Sequence, residues 1–135
     1  MNTDTETISR VNEKKVVHAE LSYTIVAAAM EVLNTLGCGF LEKLYENALV
    51  IEFSARGLKV DQQRRFAVHY KNAVIGDYIP DLLVDDKVIA DTKVVDTMAE
   101  IHVEQMMNYL AITGLKLGIL INLKHPRLEY RRVLR

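Results

Sequence analysis

The densest chemistry in the chain lies in Ile79-Pro80-Asp81-Leu82-Leu83-Val84-Asp85-Asp86-Lys87-Val88-Ile89-Ala90-Asp91-Thr92-Lys93, where carboxylates and an ammonium stand on otherwise apolar segments. Polar groups at such positions are costly to bury without partners. The stretch is therefore either a salt-bridged structural cluster or part of a metal-dependent site, and it reads as a β-hairpin. Residues i and i+2 of a strand share a face, so Asp91 and Lys93 project together while Thr92 points the other way. Loop length decides whether Asp81 joins them. The odd-numbered loop Asp85-Asp86-Lys87 pairs Val84 with Val88, Leu83 with Ile89, Leu82 with Ala90 and Asp81 with Asp91; an even-numbered loop puts the aspartates on opposite faces. In the first register like charges face each other and need a cation, either Lys93 or a metal ion. Hard divalent ions such as Mg²⁺ take oxygen ligands, keep several waters and commonly use one or two carboxylates. A neighbouring lysine could then activate or orient a water, or stabilise charge developing on a phosphate. The competing reading is an Asp91–Lys93 surface ion pair with Asp81 solvated at a sheet edge.

The elements that must position these groups follow from periodicity. Apolar residues at helical spacing from about Lys15 to Leu36 predict a first helix closed by Gly37, and Phe40 to Ala55 a second closed by Gly57. Glu42 and Glu46 share a face of that second helix beside Tyr45, which on composition alone reads as a solvated stripe. Alternation then predicts strands at Leu58 to Val60, Phe66 to Tyr70, Val74 to Val84 and Val88 to Val95. A third helix is expected from Met98 to Thr113, with Ile101, Met106, Leu110 and Ala111 in the core. A buried strand follows from Leu117 to Leu123 and an edge strand from Arg127 to Leu134, where Arg127, Arg131, Arg132 and Arg135 form a local basic patch. A helix between the meander and a later strand requires a crossover, so the sheet should be mixed and covered by helices on at least one face. The class is α+β.

Composition narrows the rest. With 135 residues, half of them hydrophobic, there is room for one domain with a sizeable core, placed at residues 15–135 behind a polar tail at 1–14. The net charge of −1 removes any global basic signature of nucleic-acid binding, so such binding would have to be local. Cys38 is the single cysteine, which excludes an internal disulfide and suits a reducing compartment. No leader pattern and no run long enough for a membrane span are present, and the expected location is cytoplasmic.

Pro80-Asp81 followed by Asp91-Thr92-Lys93 resembles the PD-(D/E)-x-K signature of the restriction-endonuclease-like nuclease superfamily. Gly39-Phe40-Leu41-Glu42-Lys43-Leu44-Tyr45 resembles the G-x-x-E-x-x-Y motif of one of its families of small proteins, and Gln105-Met106-Met107-Asn108-Tyr109 resembles that family's Q-x-x-x-Y helix motif. The similarity runs from about Leu21 to Leu134. It implies an αβββαβ core, a mixed sheet flanked by helices, with the first helix as an N-terminal addition. It also implies Asp81, Asp91, the Thr92 carbonyl and Glu42 as metal ligands and Lys93 as the catalytic lysine. Gln105 and Tyr109 would contact substrate or hold Lys93, with Tyr45, Glu46 and His102 behind them. Asp91 stands where relatives usually carry glutamate, which the superfamily pattern permits; Cys38 and Leu33 stand where proline and histidine are common. The implied activity is Mg²⁺-dependent, or Mn²⁺-dependent, hydrolysis of phosphodiester bonds in nucleic acid, DNA in the first place, by a chain that works alone or as a homodimer. The alternative is a nuclease-like fold of little or no activity that serves as a nucleic-acid or protein interaction module.

Overall fold

A computed structural model describes residues 17–135. The expected tail at 1–14 and the first residues of the expected first helix, Lys15 and Val16, lie outside the described residues.

Helix α1 spans Ala19–Leu36 and buries Ile25, Ala28, Ala29, Val32 and Leu33, the spacing of one helical face. It ends where Gly37 adopts φ 80°, a conformation open to glycine because it has no Cβ. Helix α2, Glu42–Ala55, starts at Glu42 and not at Phe40 as the apolar pattern suggests. The reason is Tyr45, whose hydroxyl donates to the Gly37 carbonyl at 2.6 Å and accepts from the Phe40 N–H at 3.2 Å. That pair of bonds folds the glycine-rich loop back against the helix it precedes. Tyr45, Leu49 and Phe53 supply the buried apolar stripe of α2, while Leu41, Leu44 and Ile51 are exposed.

The main sheet has five strands: β1 (Val60–Gln62), β4 (Leu82–Val84), β5 (Val88–Lys93), β6 (Leu117–Asn122) and β7 (Glu129–Leu134), side by side in that order. β5 and β6 are parallel, joined by a crossover through α3 (Glu100–Thr113), and the other pairs are antiparallel. The two remaining strands, β2 (Phe66–Tyr70) and β3 (Ala73–Tyr78), form a separate two-stranded ribbon. This corrects the expectation of one strand from Val74 to Val84. Pro80 has no N–H to offer a ladder, and the chain breaks there into β3 on the ribbon and β4 in the sheet, so β1 pairs with β4.

Alternation along the strands sorts two cores. Val84, Val88, Ala90, Ile119 and Ile121 pack with Ile25, Ala29, Leu49 and Phe53 from α1 and α2. Ile89, Leu120 and Val133 pack on the other face with Met106 and Leu110 from α3. A Cβ at Gly118 would run into the Met106 Sδ, so this glycine lets α3 lie close on β6. α3 buries only that narrow stripe, and Ile101, expected in the core, is 55% exposed, with Ala111 also exposed. The expected mixed sheet flanked by helices, preceded by an additional helix, is the observed architecture. The C-terminal arginines do not form one free patch: Arg131 pairs with Glu100 at 3.0 Å and Arg132 donates to the Val17 carbonyl at 2.6 Å.

Candidate active site

The β4–β5 hairpin has the register set by a loop of odd length: Val84↔Val88, Leu83↔Ile89 and Leu82↔Ala90. Its loop holds Asp85 and Asp86 at φ 52° and 56° without a glycine, a region that aspartate enters more readily than most residues. Each loop carboxylate has a structural task. Asp85 accepts from the Lys59 N–H at 2.8 Å, and Asp86 pairs with the Lys59 Nζ at 2.8 Å and the Arg64 guanidinium at 3.1 Å.

Beyond Leu82↔Ala90 the ladder stops, because the Pro80 break turns the chain out of the sheet. The Asp81 carboxylate takes over where a strand partner would have been. Its Oδ2 accepts from the Thr92 N–H at 3.1 Å and the Thr92 hydroxyl at 3.2 Å, while the Asp81 N–H donates to Asp91 Oδ1 at 3.4 Å. The two aspartates are thus brought together, and Asp91 is only 7% exposed. Burial pushes the Asp91 carboxyl above its ordinary value, against the opposing pull of the Lys93 charge. Asp81 is pushed up to about 7, first by burial and then by the charges of Asp91, Glu46 and Glu42. Lys93 is half-buried on the face it shares with Asp91, and its ammonium forms no ion pair with a described residue, so the competing surface pair is not made.

Thr92 points to the opposite face, towards α2, where its hydroxyl also lies 3.3 Å from Glu42 Oε1. Glu42 itself is exposed at the start of α2, whereas Glu46, one turn further on, is 3% exposed. The Glu46 carboxylate accepts from Lys43 Nζ at 2.6 Å, Gln62 Nε2 at 2.5 Å and Gln63 Nε2 at 3.2 Å. Burial pushes its carboxyl up, but the bonds from Lys43 and Gln62 outweigh that and hold it below the ordinary range. It therefore stays charged beside Asp81. The reading of Glu42 and Glu46 as a plain solvated stripe fails for Glu46.

The remaining candidates divide. Tyr109 stacks on Tyr78, centroids 3.9 Å apart and planes at 13°, and Tyr78 feels the charges of Asp91 and Asp81. Gln105 is exposed and bonds to no described residue. Tyr45 sits in the core with its hydroxyl on Gly37, so it shapes the loop before α2 and does not line the site. His102 is likewise a structural residue: its Nδ1 accepts from the Ala99 N–H at 3.0 Å and closes the first turn of α3. Three participants escaped the sequence reading. Gln62 and Gln63 grip Glu46, and Asn122, paired with Lys93 across the parallel ladder, binds the Val95 N–H at 3.1 Å and the Val95 carbonyl at 2.8 Å, fixing the chain just past Lys93. A second polar pair at a strand end and an asparagine ending an apolar strand were the available signals.

A family model of the PD-(D/E)XK nuclease superfamily matches residues 19–133, from the start of α1 into β7. The chain belongs to the PD-(D/E)XK nuclease superfamily. The residues that resemble that signature, Asp81 at the Pro80 break and Asp91 and Lys93 on β5, are the ones the hairpin gathers, and the mixed sheet with its three helices is consistent with a restriction-endonuclease-like fold. No curated protein and no solved structure matches the chain. Nucleases of this superfamily generally use divalent metals, and the donors here suit a hard cation. They are all oxygens, and the two aspartates are held at a cost in their charged form that a cation would relieve. Among the described residues no group of three or more Asp, Glu, His or Cys side chains is placed to hold a metal ion; Mg²⁺ itself retains waters and commonly takes one or two carboxylates. No helix among the described residues is long and apolar enough to cross a membrane.

Proposed function

We propose that the chain is a Mg²⁺- or Mn²⁺-dependent nuclease that hydrolyses phosphodiester bonds in DNA. The observation that carries the reading is the meeting of Asp81 and Asp91 through backbone and side chain beside Lys93, which forms no ion pair with a described residue. Asp81 and Asp91, with the Thr92 carbonyl and with Glu42 directly or through a water, would hold the ion, which would supply Lewis acidity at the phosphate and lower the pKa of a bound water. Asp81 is oriented for this by Thr92, and Thr92 in turn by its contact with Glu42. Lys93, in no ion pair with a described residue, would have its ammonium available to stabilise charge developing on the phosphate or to orient the attacking water. Glu46 stays ionised in its cradle of Lys43, Gln62 and Gln63 and adds negative potential around the ion.

The narrower membership in the G-x-x-E-x-x-Y family is supported by what that motif does here: Gly39 turns with φ 107°, Glu42 opens α2 next to Thr92, and Tyr45 ties the loop down. A second reading, a nuclease-like module that binds without cleaving, is favoured by the exposed Tyr70, Val74 and Ile75 of the β2–β3 ribbon. The deciding assay is cleavage of DNA and RNA duplexes and single strands with Mg²⁺, Mn²⁺ or EDTA, beside Lys93→Ala. The nuclease reading expects metal-dependent cleavage of DNA that falls at least about 100-fold in the variant. Equal activity in the variant would remove the mechanism, and binding without cleavage would favour the module.

A further inference from the structure

The strands of the β2–β3 ribbon pair with each other and with no other described strand. The root of the ribbon is fixed. Phe66 lies beside Tyr78, its cross-strand partner, at 6.5 Å and 28°, and Tyr78 stacks on Tyr109 of α3 at 3.9 Å, an aromatic row that seats the ribbon on the helix. Just before β2 the Gln63 N–H donates to the Asp81 carbonyl at 3.2 Å, and just after β3 the chain turns at Pro80 into Asp81. Both ends of the ribbon are thus tied to Asp81, one by a hydrogen bond and the other by the chain itself. Beyond the root every residue from His69 to Asp77 is exposed, whichever face it occupies, so the ribbon leaves the body as an arm. From Tyr78 to Ala73 an extended strand rises roughly 17 Å.

The surface of this arm is unlike that of a solvated loop. Tyr70, Val74 and Ile75 are 60–66% exposed. Val68 pairs with Gly76 and His69 with Val74, which leaves Ile75 without a cross-strand partner, a bulge of the kind that re-aims a side chain. At the turn the Lys71 ammonium lies 5.5 Å over the Tyr70 ring and forms no ion pair with a described residue. The one carboxylate of the arm, Asp77, pairs with Arg65 at 3.2 Å. The tip is therefore apolar, capped by a cation and without a carboxylate of its own.

We propose that the β2–β3 ribbon enters the major groove of duplex DNA, with Lys71 on a phosphate and Tyr70, Val74 and Ile75 against base edges, and so holds the duplex beside the carboxylate pair. The inference rests on the nuclease reading, which supplies DNA as the ligand. Dimensions select the groove. Two strands about 4.8 Å apart with side chains on both faces fit the major groove of B-form DNA, about 12 Å wide, and not the minor groove, about 6 Å wide. The major groove also carries the thymine methyls, apolar groups that exposed valine and isoleucine side chains can cover. The root at Asp81 favours nucleic acid over a protein partner, because whatever covers the arm also lies beside the carboxylate pair.

The test measures binding of short duplexes by fluorescence anisotropy, with Ca²⁺ in place of Mg²⁺, for DNA and RNA of the same sequence and for wild type, Val74→Ser/Ile75→Ser and Lys71→Ala. The wild type should hold duplex DNA at least about tenfold more tightly than duplex RNA, whose major groove is too narrow for side chains to enter. Val74→Ser/Ile75→Ser should weaken DNA binding about tenfold, and Lys71→Ala should lower the slope of log Kd against log salt by about one. These positions are exposed, so the unfolding temperature and the Mn²⁺ affinity should stay at wild-type values; should the double variant unfold early, the RNA comparison decides on the wild type alone. Equal DNA binding by the wild type and the folded double variant, or duplex RNA held as tightly as duplex DNA by the wild type, would overturn the role of the arm and leave the nuclease reading standing. Loss of self-association in the double variant by sedimentation, with DNA binding intact, would overturn it too and make the arm a protein contact. A wild type that binds neither duplex nor single strands would overturn both.

Discussion

Asp81→Asn separates the cost of the carboxylate pair from the contacts that hold it. The amide oxygen can still accept from the Thr92 N–H and hydroxyl, so the hairpin geometry is retained, and only the charge facing Asp91, Glu46 and Glu42 disappears. The Asp81 carboxyl rises from 3.8 to about 7, chiefly through burial and Asp91. Fully expressed as stability, a rise of that size is worth about 4 kcal/mol, and solvent screening of a half-buried group reduces it to roughly 2 kcal/mol. The sign follows from which state keeps its proton. Above about pH 4 the unfolded chain ionises while the folded one stays protonated, so wild-type stability without metal falls as pH rises and levels off above about pH 7. For a chain of this size the fall is roughly 6–8 °C in the unfolding temperature. Asp91 is raised in the same sense and is present in both proteins, so the difference between them reports Asp81 together with its coupling to Asp91. Thermal unfolding in EDTA across this window should show the slope in the wild type and its loss in Asp81→Asn, which becomes the more stable protein at about pH 7.5. Mn²⁺ should then stabilise the wild type and leave the variant unchanged. Parallel slopes, or a variant less stable than the wild type at neutral pH without metal, would show that the pair is not held at a cost.

Other substitutions probe the supports around that pair. Glu46→Ala leaves Lys43, Gln62 and Gln63 without their acceptor and should cost roughly 1–3 kcal/mol in urea unfolding, whereas Glu42→Ala, at an exposed position, should stay within about 0.5 kcal/mol yet weaken Mn²⁺ binding about tenfold by calorimetry. Tyr45→Phe loses the bonds to Gly37 and Phe40 and should lower stability by about 1–2 kcal/mol; cleavage by the folded protein should be unaltered, and a large loss would return Tyr45 to the site. Asp91→Asn should abolish metal-dependent cleavage, while Asp91→Glu, which the superfamily pattern allows, should keep it within about tenfold.

Local periodicity carried the three helices and the hairpin, because amphipathic spacing and an odd-numbered loop are properties of neighbouring residues. The pairing of Asp81 with Asp91 expected from that register is not a ladder pair, since the ladder ends at Leu82↔Ala90; the two residues meet through the Asp81 N–H on the Asp91 carboxylate. What periodicity could not carry is long-range. The Pro80 break was legible as a proline, but its effect, a ribbon leaving the sheet and β1 moving next to β4, depends on which strands meet. Motif spacing ranked Glu42 above Glu46, yet burial and three polar partners fall on Glu46, two of them from the last residue of β1 and the residue after it. Tyr45 and His102 carried residue types suited to chemistry and were used to close a loop and a helix end. The aromatic row gave no sign either, since a tyrosine ending a strand is ordinary until Tyr109 and Phe66 pack against it.

The most direct measurement is a crystal structure of the protein soaked with Mn²⁺, with data collected to record the anomalous signal of manganese. The expected result is a peak between the Asp81 and Asp91 carboxylates, within coordinating distance of the Thr92 carbonyl, that is absent from Asp81→Asn crystals. Lys93 Nζ bridging the two carboxylates with no anomalous peak at millimolar Mn²⁺ would contradict it and make the hairpin a structural ion cluster.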